Sequence, residues 1–337
     1  MKHANVALFV PNVGCPHRCS FCDQRSISGE TRLPGAEDVA RAAETARRSL
    51  KEKSRFAEIA FFGGSFTAMN RDYMCSLLEA AAPYVQKGLF AGIRISTRPD
   101  AADEETLKLL RRYGVTAVEL GAQSMDDEVL RKNGRGHTAK DVETASARIR
   151  ADGFSLGLQM MTGLYGDDEK GAERTARALA ALHPDTVRIY PTIVMEGTEL
   201  AERYRRGEYR PMALSRAVDL CCTLLGFFQE RGIRVIRLGL HSTPELERGR
   251  LAGPWHPAFR ELCESRMMLR NITAYLGREK VPQGDLLIRV SPSCVSRATG
   301  QKRCNLSALL SLGYRAEITA DDTVAPFSFA VTKSEGR

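Results

Sequence analysis

The stretch VALFVPNVGCPHRCSFC, residues 6–22, runs from an apolar, β-branched segment directly into three cysteines spaced C-x3-C-x2-C. Cys15, Cys19 and Cys22 are soft thiolate donors at close spacing, which suits iron–sulfur or zinc ligation and makes a poor disulfide framework. Three thiolates on an iron–sulfur cluster leave one metal position open, where a substrate or cofactor can bind. The same residues also allow a zinc knuckle, with His17 as a fourth ligand.

Outward from that segment, short β-branched or aromatic runs alternate with stretches of helical period. This alternation is the pattern of βα units around a parallel sheet. Strands are expected at 6–10, 59–62, 93–97, 117–120, 156–160 and 187–191, with helices at 38–50, 73–85, 104–113, 139–151 and 168–182. Asp103 and Thr138 are placed to cap two of these helices. Six units predict an α/β fold, a partial (β/α)6 barrel, followed by a smaller C-terminal α+β domain. The expected domains are 1–200 and 201–337. In the second, a strand is expected at 233–238, and LLIRVSPSCVSRATGQKRCNLSALL (286–310) reads as strand, polar loop and helix.

The chain has 337 residues, 43% hydrophobic and 27% charged, the composition of an ordinary globular protein with room for a sizeable core. No apolar run approaches the roughly 18 residues a membrane helix needs, so no membrane partner is expected. Pro11 and Asn12 interrupt the N-terminal apolar stretch too early for a secretory signal. Nine scattered cysteines fit a reducing compartment, which makes a cytoplasmic location the expectation. A net charge of +8 is compatible with a polyanionic partner such as RNA, and equally with an ordinary basic surface.

The remaining polar signals fall at predicted strand ends, where barrels build their active sites. FFGGSFT (61–67) closes the second strand with Gly63, Gly64 and Ser65, and glycines there let backbone approach a ligand. Arg98, Gln123, Arg135 and Gln159 lie at or just beyond other strand ends. Glu119 points either to a ligand or into a barrel-interior ion pair. His137 reads as a cap on its neighbouring turn more readily than as a catalytic group. Arg188 and Tyr190 share one face of the sixth strand, inward or outward.

With Phe21 before the last cysteine, the cysteine motif resembles that of the radical S-adenosylmethionine (SAM) superfamily. ISTRPD (95–100), VELGAQSMDDEVLRKNGRGHT (118–138), LGLQMMTGLYG (156–166) and VRIYPTIVMEGTEL (187–200) are more specific. They resemble the radical SAM part of the Elongator catalytic subunit family over roughly residues 5–215, with a more distant likeness to oxygen-independent coproporphyrinogen oxidases in GAQS and GRGH. The resemblance implies a 4Fe-4S cluster on Cys15, Cys19 and Cys22. It also implies a SAM site built from Phe21, Gly63, Gly64, Ser65, Arg98, Glu119, Gln123, Arg135 and Gln159, with Arg135 forked onto the SAM carboxylate. The chemistry implied is reductive cleavage of SAM to methionine and a 5′-deoxyadenosyl radical, fed by a reduced flavodoxin or ferredoxin type of donor.

In the Elongator family the substrate is tRNA, whose wobble uridine is modified at carbon 5 with acetyl-CoA as the carbon source. This sequence departs from the pattern in lacking the acetyltransferase domain, the family's longer cysteine spacing and its basic N-terminal extension. Those departures bear on the substrate and leave the radical chemistry intact. Rival readings are a radical SAM enzyme acting on a small metabolite or cofactor precursor, and a non-catalytic iron–sulfur or zinc protein that binds RNA. Among lesser signals, Cys294 and Cys304 are too few for a second cluster, and Cys221 and Cys222 read as buried packing. Arg203, Arg205, Arg206 and Arg210 with Tyr204 and Tyr209 form either an RNA-facing patch or a solvated helix end. His241, Trp255 and His256 receive no role.

Overall fold

The structure, a computed structural model, describes residues 4–11, 15, 19–22 and 32–333. The chain divides into two units, one comprising residues 1–213 with 228–255 and the other 214–227 with 256–337.

The first unit alternates strand and helix. In chain order it contains β1 (Ala4–Val10), α1 (Ala36–Leu50), β2 (Ala57–Gly63), α2 (Arg71–Gln86), β3 (Gly92–Thr97) and α3 (Glu104–Arg112). It continues through β4 (Val115–Gln123), α4 (Asp127–Lys132), α5 (Ala139–Ala151), β5 (Ser155–Thr162), α6 (Glu169–Ala181) and β6 (Thr186–Pro191). Then come β7 (Val194–Met195) and α7 (Glu199–Arg205). After α8 (Leu214–Glu230), whose residues 214–227 belong to the second unit, the first resumes with β8 (Arg234–Leu238), α9 (Pro244–Gly249) and β9 (Arg250–Ala252).

Seven strands pair in parallel in the order β1-β2-β3-β4-β5-β6-β8, forming a half-barrel sheet. The strand expected at 233–238 is the seventh of these and pairs with β6 through Thr186–Arg234 and Ile189–Leu238. The near-continuous burial of β2, β3 and β4 follows from a parallel sheet covered on both faces. Most helices begin at a side-chain cap. Asn70, Asp103, Asp126, Thr138, Asp168 and Thr198 each accept a hydrogen bond from a first-turn backbone N–H. Asp103 and Thr138 are therefore caps, as their positions in the sequence imply.

The second unit contains α10 (Phe259–Arg278), β10 (Gly284–Val290), α11 (Val295–Thr299), α12 (Cys304–Ser311), β11 (Tyr314–Ala320) and β12 (Phe329–Lys333). Its sheet has the order β11-β10-β12, with β11 parallel and β12 antiparallel to β10. Met268, Ile272 and Leu276 of α10 pack on Leu286, Ile288 and Val290 of β10 with Ala298 and Leu309, a core of its own. The segment read as polar loop holds α11, whose five residues are too few for a helical period to show. No helix among the described residues is long and apolar enough to cross a membrane.

Candidate active site

The cysteine loop is latched to the barrel through Ser20. Its N–H donates to Asn133 O at 3.1 Å, its Oγ donates to Asn133 Oδ1 at 2.9 Å, and its carbonyl accepts from Leu200 N at 2.8 Å. Asn133 is fully buried and uses its Nδ2 on the carbonyls of Val129 and Tyr165, at 2.8 and 2.9 Å. Phe21 packs against Val194, Leu200, Ala201 and Tyr209. One polar and one apolar anchor thus stand between the second and third cysteines.

Two arginines stand by Cys15 and Cys19. Arg135 donates from Nη1 to Cys19 Sγ at 3.1 Å and from Nη2 to Gly121 O at 2.6 Å. Arg98 holds the Arg135 carbonyl from Nη2 at 2.8 Å, and is itself forked onto Asp100 by two bonds of 2.9 Å. Burial pushes the Cys15 thiol up, against a hydrogen bond from the Ser65 backbone and the charges of Arg98 and Arg135, which pull it down. Ser65 is fixed in turn: its Oγ lies 2.8 Å from Thr97 Oγ1 and accepts from Arg98 N at 3.2 Å. Gly63, with φ 114°, brings the backbone so close to β1 that a Cβ there would lie 2.6 Å from Val10 O. Gly64 N donates to that same carbonyl at 2.8 Å.

Beneath this rim lies a buried ion network. Glu119, 1% exposed, receives Arg188 through Nε at 2.6 Å and Nη2 at 2.9 Å, and Arg94 through Nη1 at 3.2 Å. Arg94 also donates from Nε to Glu58 at 2.7 Å, so two cations meet two carboxylates. Gln159 Nε2 bonds Glu119 at 3.0 Å and Ser96 Oγ at 3.3 Å. The Arg188 guanidinium stands 4.6 Å from the centre of the Phe62 ring, a cation–π contact. Buried charges of this kind persist only when mutually paired and hydrogen-bonded, as here.

The structure therefore puts Glu119 in the interior ion pair, with Gln159 attached to it and Arg188 facing the same carboxylate. Gly63, Ser65, Arg98 and Arg135 gather around Cys15 and Cys19. Gln123, at the end of β4, has φ 66° and a buried Oε1 with no hydrogen-bond partner. Arg94, Glu58 and Asn133 complete the site and were not singled out by sequence. An arginine inside the apolar run GIRIST was the available signal for the first.

His137 is buried, with Nε2 3.2 Å from Ala122 O, and burial followed by the charge of Arg135 lowers it to about 4. It sits just before the Thr138 cap as a neutral structural group. In the basic patch near 203–210, Arg203 pairs with Glu199, Arg205 with Glu196 and Glu202, and Arg206 with Glu208, while Arg210 is exposed. Tyr209 is buried and donates to Gly163 O at 2.7 Å, which fits a solvated helix end over an apolar anchor. Cys221, Cys222 and Cys294 are buried in packing. His17 lies outside the described residues.

Residues 9–179, a little over half the chain, match the model of the radical SAM superfamily. The chain belongs to that superfamily. Residues 184–268 of this radical SAM enzyme also match the superfamily's C-terminal domain. An uncharacterized protein of Methanocaldococcus jannaschii is 29% identical over 69% of the chain and 74% of its own length. The tRNA uridine(34) acetyltransferase of the same organism is 35% identical over 37% of the chain and 24% of its own length. Human Elongator complex protein 3 is 30% identical over 50% of the chain and 34% of its own length. The radical SAM enzyme thus spans only about a quarter to a third of these two relatives. Among solved structures, Methanocaldococcus infernus Elp3 shares its fold with a TM-score of 0.61 at 20% identity, covering 83% of the chain and 64% of that structure.

Superfamily membership implies a 4Fe-4S cluster and SAM, and the residues fit both. Three thiolates leave one iron free, and Arg135 and Arg98 offset their charge. Arg98 Nη1, Arg135 Nε and Gln123 Oε1 are buried at the strand ends without hydrogen-bond partners, donors and an acceptor suited to a carboxylate and hydroxyls. Among the described residues no three His, Cys, Asp or Glu side chains gather about one metal-ion position. A four-iron cluster takes each thiolate on a different iron, which asks for wider spacing.

Proposed function

We propose that this radical SAM enzyme modifies a base of tRNA, the wobble uridine, in the cytoplasm. The observation that carries the reading is the sequence likeness, 35% identity over 37% of the chain, to a tRNA uridine(34) acetyltransferase. Cys15, Cys19 and Cys22 hold the cluster. When bound, the cluster supplies the single electron that cleaves SAM to methionine and a 5′-deoxyadenosyl radical, and a reduced flavodoxin or ferredoxin type of protein replenishes it.

The chain's own residues bind and orient. Arg98 and Arg135 would offer their unpaired N–H groups to the SAM carboxylate, the backbone of Gly63, Gly64 and Ser65 would take its amino group, and Gln123 would accept from a ribose hydroxyl. Glu119, Arg94, Arg188 and Gln159 form a rigid floor that holds these groups at the strand ends.

The test is anaerobic reconstitution with dithionite and SAM, reading 5′-deoxyadenosine with and without tRNA lacking modifications. Stimulation by tRNA with a mass change on the wobble uridine is the expected result. Cleavage indifferent to tRNA would sink the RNA reading and favour a small-metabolite substrate.

A further inference from the structure

The second unit carries a feature that the barrel's chemistry does not use. Between β10 and the parallel strand β11 the chain runs through α11, a four-residue turn Gly300-Gln301-Lys302-Arg303, and α12. Three of those four residues are left-handed, with φ of 79° at Gly300, 52° at Lys302 and 61° at Arg303. At Gly300 a Cβ would also lie 2.6 Å from Cys304 Sγ and 2.9 Å from Asn305 N, so glycine is required twice over. Lys302 and Arg303 have no such excuse, because long side chains rarely adopt this region.

The turn is nonetheless fixed. Buried Asn305 sends its Nδ2 to the carbonyls of Arg297, Ala298 and Ser265 at 3.0, 3.1 and 3.1 Å, tying the end of α11 to the start of α12. Gly300 N donates to Ser296 O, and Arg303 N to Gly300 O, both at 2.9 Å. Two cations are thus held outward on a rigid, exposed turn. Other arginines of the unit have carboxylate partners, Arg260 and Arg297 sharing Glu264, Arg266 and Arg270 sharing Asp219, and Arg315 paired with Asp285. No carboxylate pairs with Lys302 or Arg303 among the described residues.

We propose that this turn clamps the phosphate backbone of single-stranded RNA. A glycine-opened turn of four residues between two helices, on one face of a small sheet, is how KH-type modules hold about four nucleotides by their backbone. The three-stranded sheet of mixed direction with its helices on one side matches that arrangement. The usual second glycine is replaced by Arg303, which keeps the left-handed backbone and adds a charge. The first N–H groups of α12 point into the same turn and favour an anion there. The positive φ of Lys302 and Arg303 fixes the backbone that carries both charges, which lowers the ordering cost on binding. The inference rests on the tRNA reading and deepens it by naming a surface that holds the strand.

The test uses the full-length reconstituted enzyme, a labelled oligouridylate and an unmodified tRNA transcript, titrated over a range of salt. The double variant K302G/R303G removes both charges and relaxes both backbones, so it melts no lower than wild type while its RNA affinity falls on the order of tenfold. Its log–log salt slope becomes shallower by about 1.4, the effect of two phosphate contacts on a single strand. K302E/R303E weakens binding further. Unchanged affinity and slope in these variants, or a glycine variant that melts below wild type, overturns the clamp. Uridine modification with undiminished RNA binding in the variants would overturn the clamp alone. Turn-dependent RNA binding without any uridine modification would leave the clamp standing and overturn the uridine reading. A wild type that binds neither RNA overturns both.

Discussion

Arg135 places Nη1 3.1 Å from Cys19 Sγ while Gly121 O holds Nη2 at 2.6 Å, so a guanidinium is locked beside one sulfur of the three-cysteine motif. A fixed positive charge favours the more negative, reduced state of a neighbouring redox group. Arg135→Ala therefore shifts the midpoint potential of the reconstituted protein downward by on the order of 60 mV, one tenfold step for a one-electron couple. Arg135→Lys recovers part of the shift, keeping the charge without the fork. A spectroscopically monitored redox titration reads both, and an unmoved potential in the alanine variant would refute the electrostatic role.

Glu119 sits between Arg94 and Arg188, with Glu58 completing a neutral set of four buried charges. Glu119→Gln leaves the set with an uncompensated cation, which costs about 3–5 kcal/mol when a buried pair is broken from one side. Glu119→Gln with Arg188→Met restores neutrality, since Arg94 keeps Glu58. The double variant should unfold at higher urea than the single one despite carrying more substitutions. If the double variant is the weaker of the two, charge balance is not what holds this floor together.

The network also marks where sequence reading stops. The caps at Asp103 and Thr138 are local signals, and each lies where its neighbours in sequence imply. Glu119 stayed ambiguous because its partners, Arg94, Gln159 and Arg188, come from three other strands, and only strand order and register bring them together. Asn133 was overlooked for the same reason, its partner Ser20 being 113 residues away. The charged run near 203–210 was different. Its neutralising partners Glu199, Glu202 and Glu208 stand within a few residues, so helical spacing alone could have identified the ion pairs.

His137 links stability to pH. Its pKa is lowered from 6.5 in the unfolded chain to about 4 in the folded one, by burial and then by the charge of Arg135. The unfolded chain therefore binds a proton that the folded one refuses, and stability falls as pH drops from about 6.5 towards 4. Between pH 7 and pH 5 the loss is about 2 kcal/mol. Urea midpoints at those two pH values should differ less for His137→Asn than for wild type. Equal pH dependence in both proteins would show that His137 is not the linked group.

Gly63 brings β2 against the last residue of β1. An added methyl meets both φ 114° and a carbonyl oxygen at 2.6 Å, so the backbone must move. Gly63→Ala costs more than about 2 kcal/mol and shifts the Gly64–Ser65 backbone that touches Cys15. Thermal melting reads the first effect, and equilibrium binding of SAM to the reconstituted protein reads the second. Wild-type SAM affinity in a folded Gly63→Ala protein would remove this segment from the cofactor site.

Asn133 holds the cysteine loop without touching a sulfur, so its loss separates loop order from ligand chemistry. Its side chain accepts from Ser20 Oγ and donates to the carbonyls of Val129 and Tyr165, the last bond only partly buried. Asn133→Ala removes the side-chain partner of the Tyr165 carbonyl and of the Ser20 hydroxyl, while Val129 O keeps its bond from Asn133 N at 3.1 Å, a cost of roughly 1–3 kcal/mol for each group left unsatisfied. The backbone bond from Ser20 N to Asn133 O survives, so the loop is loosened rather than released. The three thiolates are then less well placed together, and the variant retains less iron than wild type when challenged with a chelator. Asn133→Asp keeps the acceptor for Ser20 but sets an unpaired carboxylate against the carbonyls of Val129 and Tyr165, and should retain no more iron than Asn133→Ala. Equal iron retention by all three proteins would mean that the cluster orders its own loop and the latch serves only the barrel.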